Sequence, residues 1–119
     1  MPREEIDDSS IKELLSFKKQ EKGKPDLSLI NPYFYEDMAK VMEFGATKYG
    51  RNNWKKLQIS DINKIIASLE RHTQEIKKGN LVDWESKLQH ACHIACNAMF
   101  LHYAIRNNTL SDILGELDV

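Results

Sequence analysis

Cysteine is nearly missing from this chain. Its 119 residues include two, Cys92 and Cys96, four apart in an apolar stretch. Two neighbouring positions on one helix make no disulfide framework, which excludes a small secreted disulfide scaffold and predicts a reduced, cytoplasmic protein. Long apolar runs are lacking too: none approaches the ~20 residues that span a bilayer. The polar start, Met1-Pro2-Arg3-Glu4-Glu5, carries no secretory signal. Nor is there an excess of one charge. Seventeen Lys and Arg stand against eighteen Asp and Glu, a formal net charge of -1. That balance argues against a strongly basic nucleic-acid binder, so neither a direct nucleic-acid partner nor a membrane is expected. Proline and glycine are scarce within the periodic segments, and the alternation that marks strands is absent.

What remains is helical spacing. With 41% apolar and 29% charged residues, the chain reads as one folded all-α domain over 1–119, a compact bundle of about four main helices. Residues 1–23 hold a short N-terminal helix and a basic linker, 24–107 the core, and 108–119 a short amphipathic tail helix. The first helix follows Ser10, which stands three before Glu13 in a capping-box spacing and leads into Ile11, Leu14, Leu15 and Phe17. Asn31 and Pro32 announce the second, with Glu36 and Asp37 complementing its positive start and Gly50 stopping it. The third begins after Ser60, buries Ile62, Ile65, Ile66, Leu69 and Ile76 on one face, and ends at Gly79. The fourth runs from about Ser86 to about Asn107. Between Ala91 and Leu101 it is apolar almost all round, which predicts a central helix covered by its neighbours. An apolar tail on so small a chain predicts a dimer or larger homo-oligomer.

Polar residues within that central helix carry the functional argument. His90, His93 and Asn97 fall at i, i+3 and i+7 and share one stripe. A buried polar group is costly unless hydrogen-bonded or ligated. His72 lies on the inward face of the third helix, with Glu75 three residues on. The pattern predicts a polar core between these helices, either a structural hydrogen-bond network or a site for metal or phosphate. Asp83 and Glu85, before the fourth helix, either cap it or hold a hard divalent ion such as magnesium. Along Glu43 to Trp54, Lys48 and Arg51 offer charge to phosphates. Tyr49 and Trp54 offer flat faces to a base, Asn52 and Asn53 offer polar edges, and Glu36, Lys40, Glu43 and Thr47 line one face. The alternative is a helix end, a turn and a core tryptophan. Lys24 is a further phosphate candidate, and Cys92 and Cys96 read as small hydrophobes.

Taken together, Lys24-Pro25-Asp26-Leu27-Ser28-Leu29, Glu43-Phe44-Gly45-Ala46-Thr47-Lys48-Tyr49-Gly50-Arg51-Asn52-Asn53-Trp54, Arg71-His72, Asp83-Trp84-Glu85-Ser86 and His90-Ala91-Cys92-His93-Ile94-Ala95-Cys96-Asn97 resemble the dATP/dGTP diphosphohydrolase family of phages and prophages. That family is similar in outline to the all-α MazG-like nucleotide pyrophosphohydrolases. The chain departs from many relatives in having Lys87-Leu88-Gln89 where they carry Gly-Leu-Pro. It also offers His90, His93 and Asn97 where MazG-type enzymes use paired acidic motifs.

The resemblance implies a metal-dependent enzyme that splits the α–β phosphate bond of dATP or dGTP, releasing the monophosphate and pyrophosphate. The cofactor would be a divalent cation, Mg2+ or Mn2+. Catalytic candidates are Glu43, His72, Asp83, Glu85, His90 and His93, with Asp83, Glu85, His90 and His93 as metal ligands. Lys24, Lys48, Tyr49, Arg51, Asn53, Trp54, Arg71 and Asn97 would bind the substrate. Two other readings stand beside it: a nucleotide-binding module without chemistry, and a purely structural helical protein.

Overall fold

The computed structural model describes residues 23–117, with side chains as far as residue 107. The helix expected around Ser10 to Phe17 lies outside them. The chain divides into two units, Met1–Ile30 and Asn31–Val119. In the first, Asp26 caps a short 3-10 helix, Leu27–Leu29, its carboxylate accepting from the Ser28 amide at 3.0 Å. Lys24 precedes it and is exposed.

In the second unit, three long helices dominate the described residues: α1, Pro32–Tyr49; α2, Ile62–Lys77; and α3, His90–Leu117. The all-α expectation holds, and no described helix is long and apolar enough to cross a membrane. α1 begins where the sequence places it. The Asn31 side chain accepts from the Tyr33 amide at 2.9 Å, with Pro32 in the first turn. Gly50 ends it at φ 96, a backbone conformation that side chains resist. Glu36 and Asp37 fall beyond the first turn and do not complement the helix start; they pair instead with Lys40 on the surface, at 3.7 and 3.5 Å.

Two 3-10 helices, Asn53–Lys56 and Ile59–Asp61, lead into α2. There the Gln58 amide donates to the Asp61 carboxylate at 2.9 Å. Ile65 is buried on α2, with Ile62, Ile66, Leu69 and Ile76 half-buried, so the expected stripe faces inward.

α3 differs from expectation at both ends. It starts at His90, not near Ser86, because the preceding residues form a tight reversal. Val82 and Gln89 make an isolated antiparallel bridge. The Asp83 amide donates to the Leu88 carbonyl at 2.8 Å and the His90 amide to the Leu81 carbonyl at 3.0 Å. Nor does α3 stop near Asn107: the expected tail helix is its continuation to Leu117. No proline interrupts the run, and its first glycine is Gly115.

α3 packs most extensively on α2 and less so on α1. Its contacts with α1 centre on Val41, Cys92 and Cys96, against which Met38, Met42, Leu88 and Phe100 pack. Two flanking helices do not cover α3 all round, so Ala91 and Ala98 are exposed, contrary to the expectation for Ala91 to Leu101.

Candidate functional site

Three imidazoles meet where α2, α3 and the reversal converge. His72 comes from the inward face of α2 and His90 from the first position of α3, with His93 one turn on. The His72 and His90 Nδ1 atoms lie 2.8 Å apart, close enough to share one proton. The His72 ring stacks on His93 with centroids 4.5 Å apart and planes 10° apart. The bridge between Val82 and Gln89 holds Asp83 beside His90. Ligand atoms of His72, Asp83 and His90 all lie within 4.8 Å of one another, close enough to hold one metal ion.

This cluster is supported from behind. The Ser86 amide donates to Asp83 Oδ2 at 2.8 Å, which fixes the carboxylate. The Ser86 hydroxyl shares a 2.7 Å hydrogen bond with His93 Nε2. Asn97, buried one turn further along α3, donates through Nδ2 to the His93 carbonyl at 3.0 Å and to Ser68 Oγ at 3.3 Å. Because a carbonyl only accepts, the amide orientation is determined.

The electrostatics favour neutral rings at His72 and His93. Burial lowers the pKa of His72, and the neighbouring His93 and His90 lower it further. Burial also lowers that of His93, against an opposing pull from Asp83. For Asp83, burial raises the pKa, but hydrogen bonds from Ser86 and the nearby His93 and His90 outweigh it and hold it below the ordinary value. Neutral imidazoles beside an ionised carboxylate are the forms that bind a divalent ion.

Two cavities flank the cluster. The smaller, about 460 Å³, is lined by Lys48, Tyr49, Arg51, Asn53 and Trp54 from the end of α1 and the loop after it. Arg71, His72, Asp83, Glu85, His93 and Asn97 complete the far wall. The larger, about 1360 Å³, shares Ser68, Arg71, His72 and Asp83 with it and adds His90, Glu75, Lys78, Asn80 and Trp84. Segments far apart in sequence thus line two cavities that share Ser68, Arg71, His72 and Asp83.

Some expected residues take other places. Glu43 is exposed and lines a separate hollow with Thr47, Arg51 and Asn52, away from the imidazoles. Glu85 lines the smaller cavity, but its carboxylate is paired with Lys48. His93 is engaged by Ser86 and stands 3.9 Å from Asp83 Oδ2. The metal-capable group among the described residues joins His72, expected as a catalytic or metal-binding histidine, to Asp83 and His90; Glu85 and His93, expected as ligands, lie outside it. Glu75 turns away from His72 to accept from Asn80 Nδ2 at 2.8 Å and Lys78 Nζ at 3.1 Å.

Trp54 is partly a core residue, edge-on to Tyr103 at 4.9 Å and stacked near Phe100 at 6.3 Å. Cys96 is buried and its thiol is pushed up to about 11, which suits a core position rather than a nucleophile. Sequence reasoning missed Ser68 and Ser86 as supports. Ser68 was within reach, since it stands four before His72 on the same helical face.

The helical scaffold thus sets a metal-capable His/Asp cluster beside a cavity lined by basic and aromatic side chains. The chain belongs to the family described as dATP/dGTP diphosphohydrolase, N-terminal, whose model matches residues 16–113. It is 40% identical over 94 residues to the dATP/dGTP diphosphohydrolase of Salmonella phage PMBT28. That match covers 79% of this chain and 31% of the relative, so the chain spans about a third of the relative's length. No solved structure matches it.

Proposed function

We propose that this chain binds a purine deoxynucleoside triphosphate in the smaller cavity and, with a divalent ion, hydrolyses its α–β phosphate bond. One observation carries the reading: His72 and Asp83, two members of the metal-capable group that His90 completes, line a cavity that also holds Lys48, Arg51, Arg71, Tyr49 and Trp54. The name of the phage relative supports the substrate class.

The donor set fits a metal ion, with two imidazole nitrogens facing one another and an oriented carboxylate beside them. Bound there, a divalent ion supplies charge neutralisation for the triphosphate and lowers the pKa of water. The rest falls to the chain. Arg71 and Arg51 hold phosphate oxygens, and Lys48 joins them once released from Glu85. Tyr49 and the open part of Trp54 stack on the base, while Asn53 and Asn97 meet its polar edges or the sugar. His93, neutral through burial, takes the proton that water gives up on attacking the α phosphorus. The bond to the bridging oxygen breaks, and pyrophosphate leaves the monophosphate behind. Association of copies belongs to the same proposal, supported by exposed Leu81, Val82 and Trp84 beside the cluster; light scattering on the eluted protein tests it.

The test is pyrophosphate release from dATP and dGTP across divalent ions, with the monophosphate identified as co-product. The expected result is metal-dependent release that His90→Ala abolishes. No turnover with any common nucleotide and ion overturns the reading. A second reading, nucleotide binding without chemistry, draws on the match to only part of the phage relative. It predicts saturable binding without product, and affinity that survives Asp83→Ala.

A further inference from the structure

We propose that the His72–Asp83–His90 cluster selects a first-row transition ion, of the iron-to-zinc series, over magnesium. The inference rests on the reading of this cluster as a metal centre, but not on the reaction performed there.

The donors decide it. Magnesium prefers oxygen ligands, loses water reluctantly and is usually held by carboxylates and substrate phosphates. Imidazole nitrogen suits the transition ions, whose affinities generally exceed those of hard ions at such sites. Here two of the three donors are imidazoles.

The nearby carboxylates do not rescue an oxygen site. Glu85 is paired with Lys48, and Glu75 accepts from Asn80 and Lys78. Among the described residues only Asp83 brings a carboxylate into the cluster.

The spacing agrees. Two nitrogens each ~2.0–2.1 Å from one ion stand ~2.9 Å apart at a right angle and ~3.3 Å apart at the tetrahedral angle. The His72 and His90 Nδ1 atoms are 2.8 Å apart already. In the ion-free chain one ring donates a proton to the other across this gap. Moving that proton to the far nitrogen of its ring frees both Nδ1 lone pairs, and a small rotation of the rings turns them from one another toward an ion beside the gap. The surroundings resist other arrangements: His90 is buried, His72 is stacked on His93, and the Ser86 amide holds Asp83. Partners of this kind orient ligands and are typically worth ten- to a hundredfold in affinity.

The test uses Co2+ as the probe. The full chain is stripped with a chelator and titrated with Co2+ while visible absorption is recorded. The expected result is a saturable band at one ion per chain, displaced by stoichiometric Zn2+ and retained in about a hundredfold excess of Mg2+. His72→Ala and His90→Ala each weaken Co2+ binding about tenfold or more, while His102→Ala, an exposed histidine elsewhere on α3, leaves it unchanged. Should either alanine variant fail to fold, Co2+ added to the wild-type chain gives the same answer, shifting and broadening the imidazole resonances of His72 and His90 before those of His102. Displacement of Co2+ by comparable Mg2+, or binding indifferent to His72 and His90, overturns the proposal. The two readings fail separately. Histidine-dependent Co2+ binding without pyrophosphate release sinks the hydrolase reading alone. Magnesium-supported turnover with no Co2+ site at these histidines sinks only this one.

Discussion

Lys48, in the last turn of α1, is held by Glu85, in the reversal that carries Asp83. Both side chains line the smaller cavity and both are about half exposed. The pair raises the pKa of Lys48, chiefly through its hydrogen bond to Glu85. In the ligand-free chain a carboxylate therefore occupies an ammonium that phosphate would otherwise meet. On the proposed function, a triphosphate would compete with Glu85 for it. Exposed pairs contribute little to stability, typically under about 1 kcal/mol. Neutralising either partner should move the melting temperature only slightly while changing nucleotide affinity in opposite directions. Glu85→Gln frees the lysine and tightens binding; Lys48→Gln weakens it and flattens its salt dependence. Equal affinities for both variants by calorimetry would remove the competition.

The neutral histidines set a pH dependence whose sign is fixed. His72 and His93 titrate below the ordinary histidine value of 6.5 in the folded chain. Around that pH the unfolded chain binds more protons than the folded one, so stability rises with pH. Their contribution is fully present above the unfolded value and is lost as pH falls through the lowered folded values. Chelator-treated protein should be less stable to urea at pH 5.5 than at 7.5, and His72→Gln should flatten the difference. A urea midpoint that climbs on acidification would contradict the burial of these rings.

The reversal before α3 carries a local strain. Lys87 sits at φ 64, a left-handed conformation that a side chain disfavours. Its amide donates to the Asp83 carbonyl at 2.8 Å, so the strained residue helps to hold the candidate ligand. Glycine adopts this conformation freely. Lys87→Gly should stabilise the chain by about 0.5–1 kcal/mol, and Lys87→Val should destabilise it by a similar amount or more. Chemical denaturation with an unchanged slope reads both. Loss of stability in the glycine variant would mean that the reversal differs from the one described.

The ends of the first two long helices were legible because local chemistry decides them. Asn31, Pro32 and Gly50 act on their immediate neighbours, and the isoleucines of α2 repeat at one period. The stripe of His90, His93 and Asn97 was legible for the same reason. What faces it was only partly so. That Asp83 meets His90 depends on the Val82–Gln89 bridge, a contact between residues that spacing does not pair. Nothing local reveals that Glu85 is taken by Lys48, 37 positions earlier in the sequence. Glu43 shows the converse: its motif matches the family, but the face it occupies turns to a different hollow.

Asn97 offers the sharpest test of the polar core. Both hydrogens of its amide are used, toward the His93 carbonyl and Ser68, so its oxygen is the atom left for a donor on a ligand. Asn97→Asp keeps size and shape but sets a carboxylate oxygen against the His93 carbonyl. Asn97→Leu removes both hydrogen bonds without adding charge. Leaving buried polar groups unsatisfied costs about 1–3 kcal/mol each, and more for a charged group. Asp should therefore destabilise more than Leu at neutral pH. Lowering the pH protonates the carboxyl and restores a donor, so the gap between the variants should narrow toward pH 4, near the ordinary aspartate value. Thermal melts of both variants across that range check the order, and Leu being the more damaging at pH 7 would show that the amide does not face the His93 carbonyl. Both variants should also bind nucleotide more weakly than the wild type: Leu lacks the amide oxygen, and Asp keeps an oxygen there but adds a negative charge that opposes the phosphates.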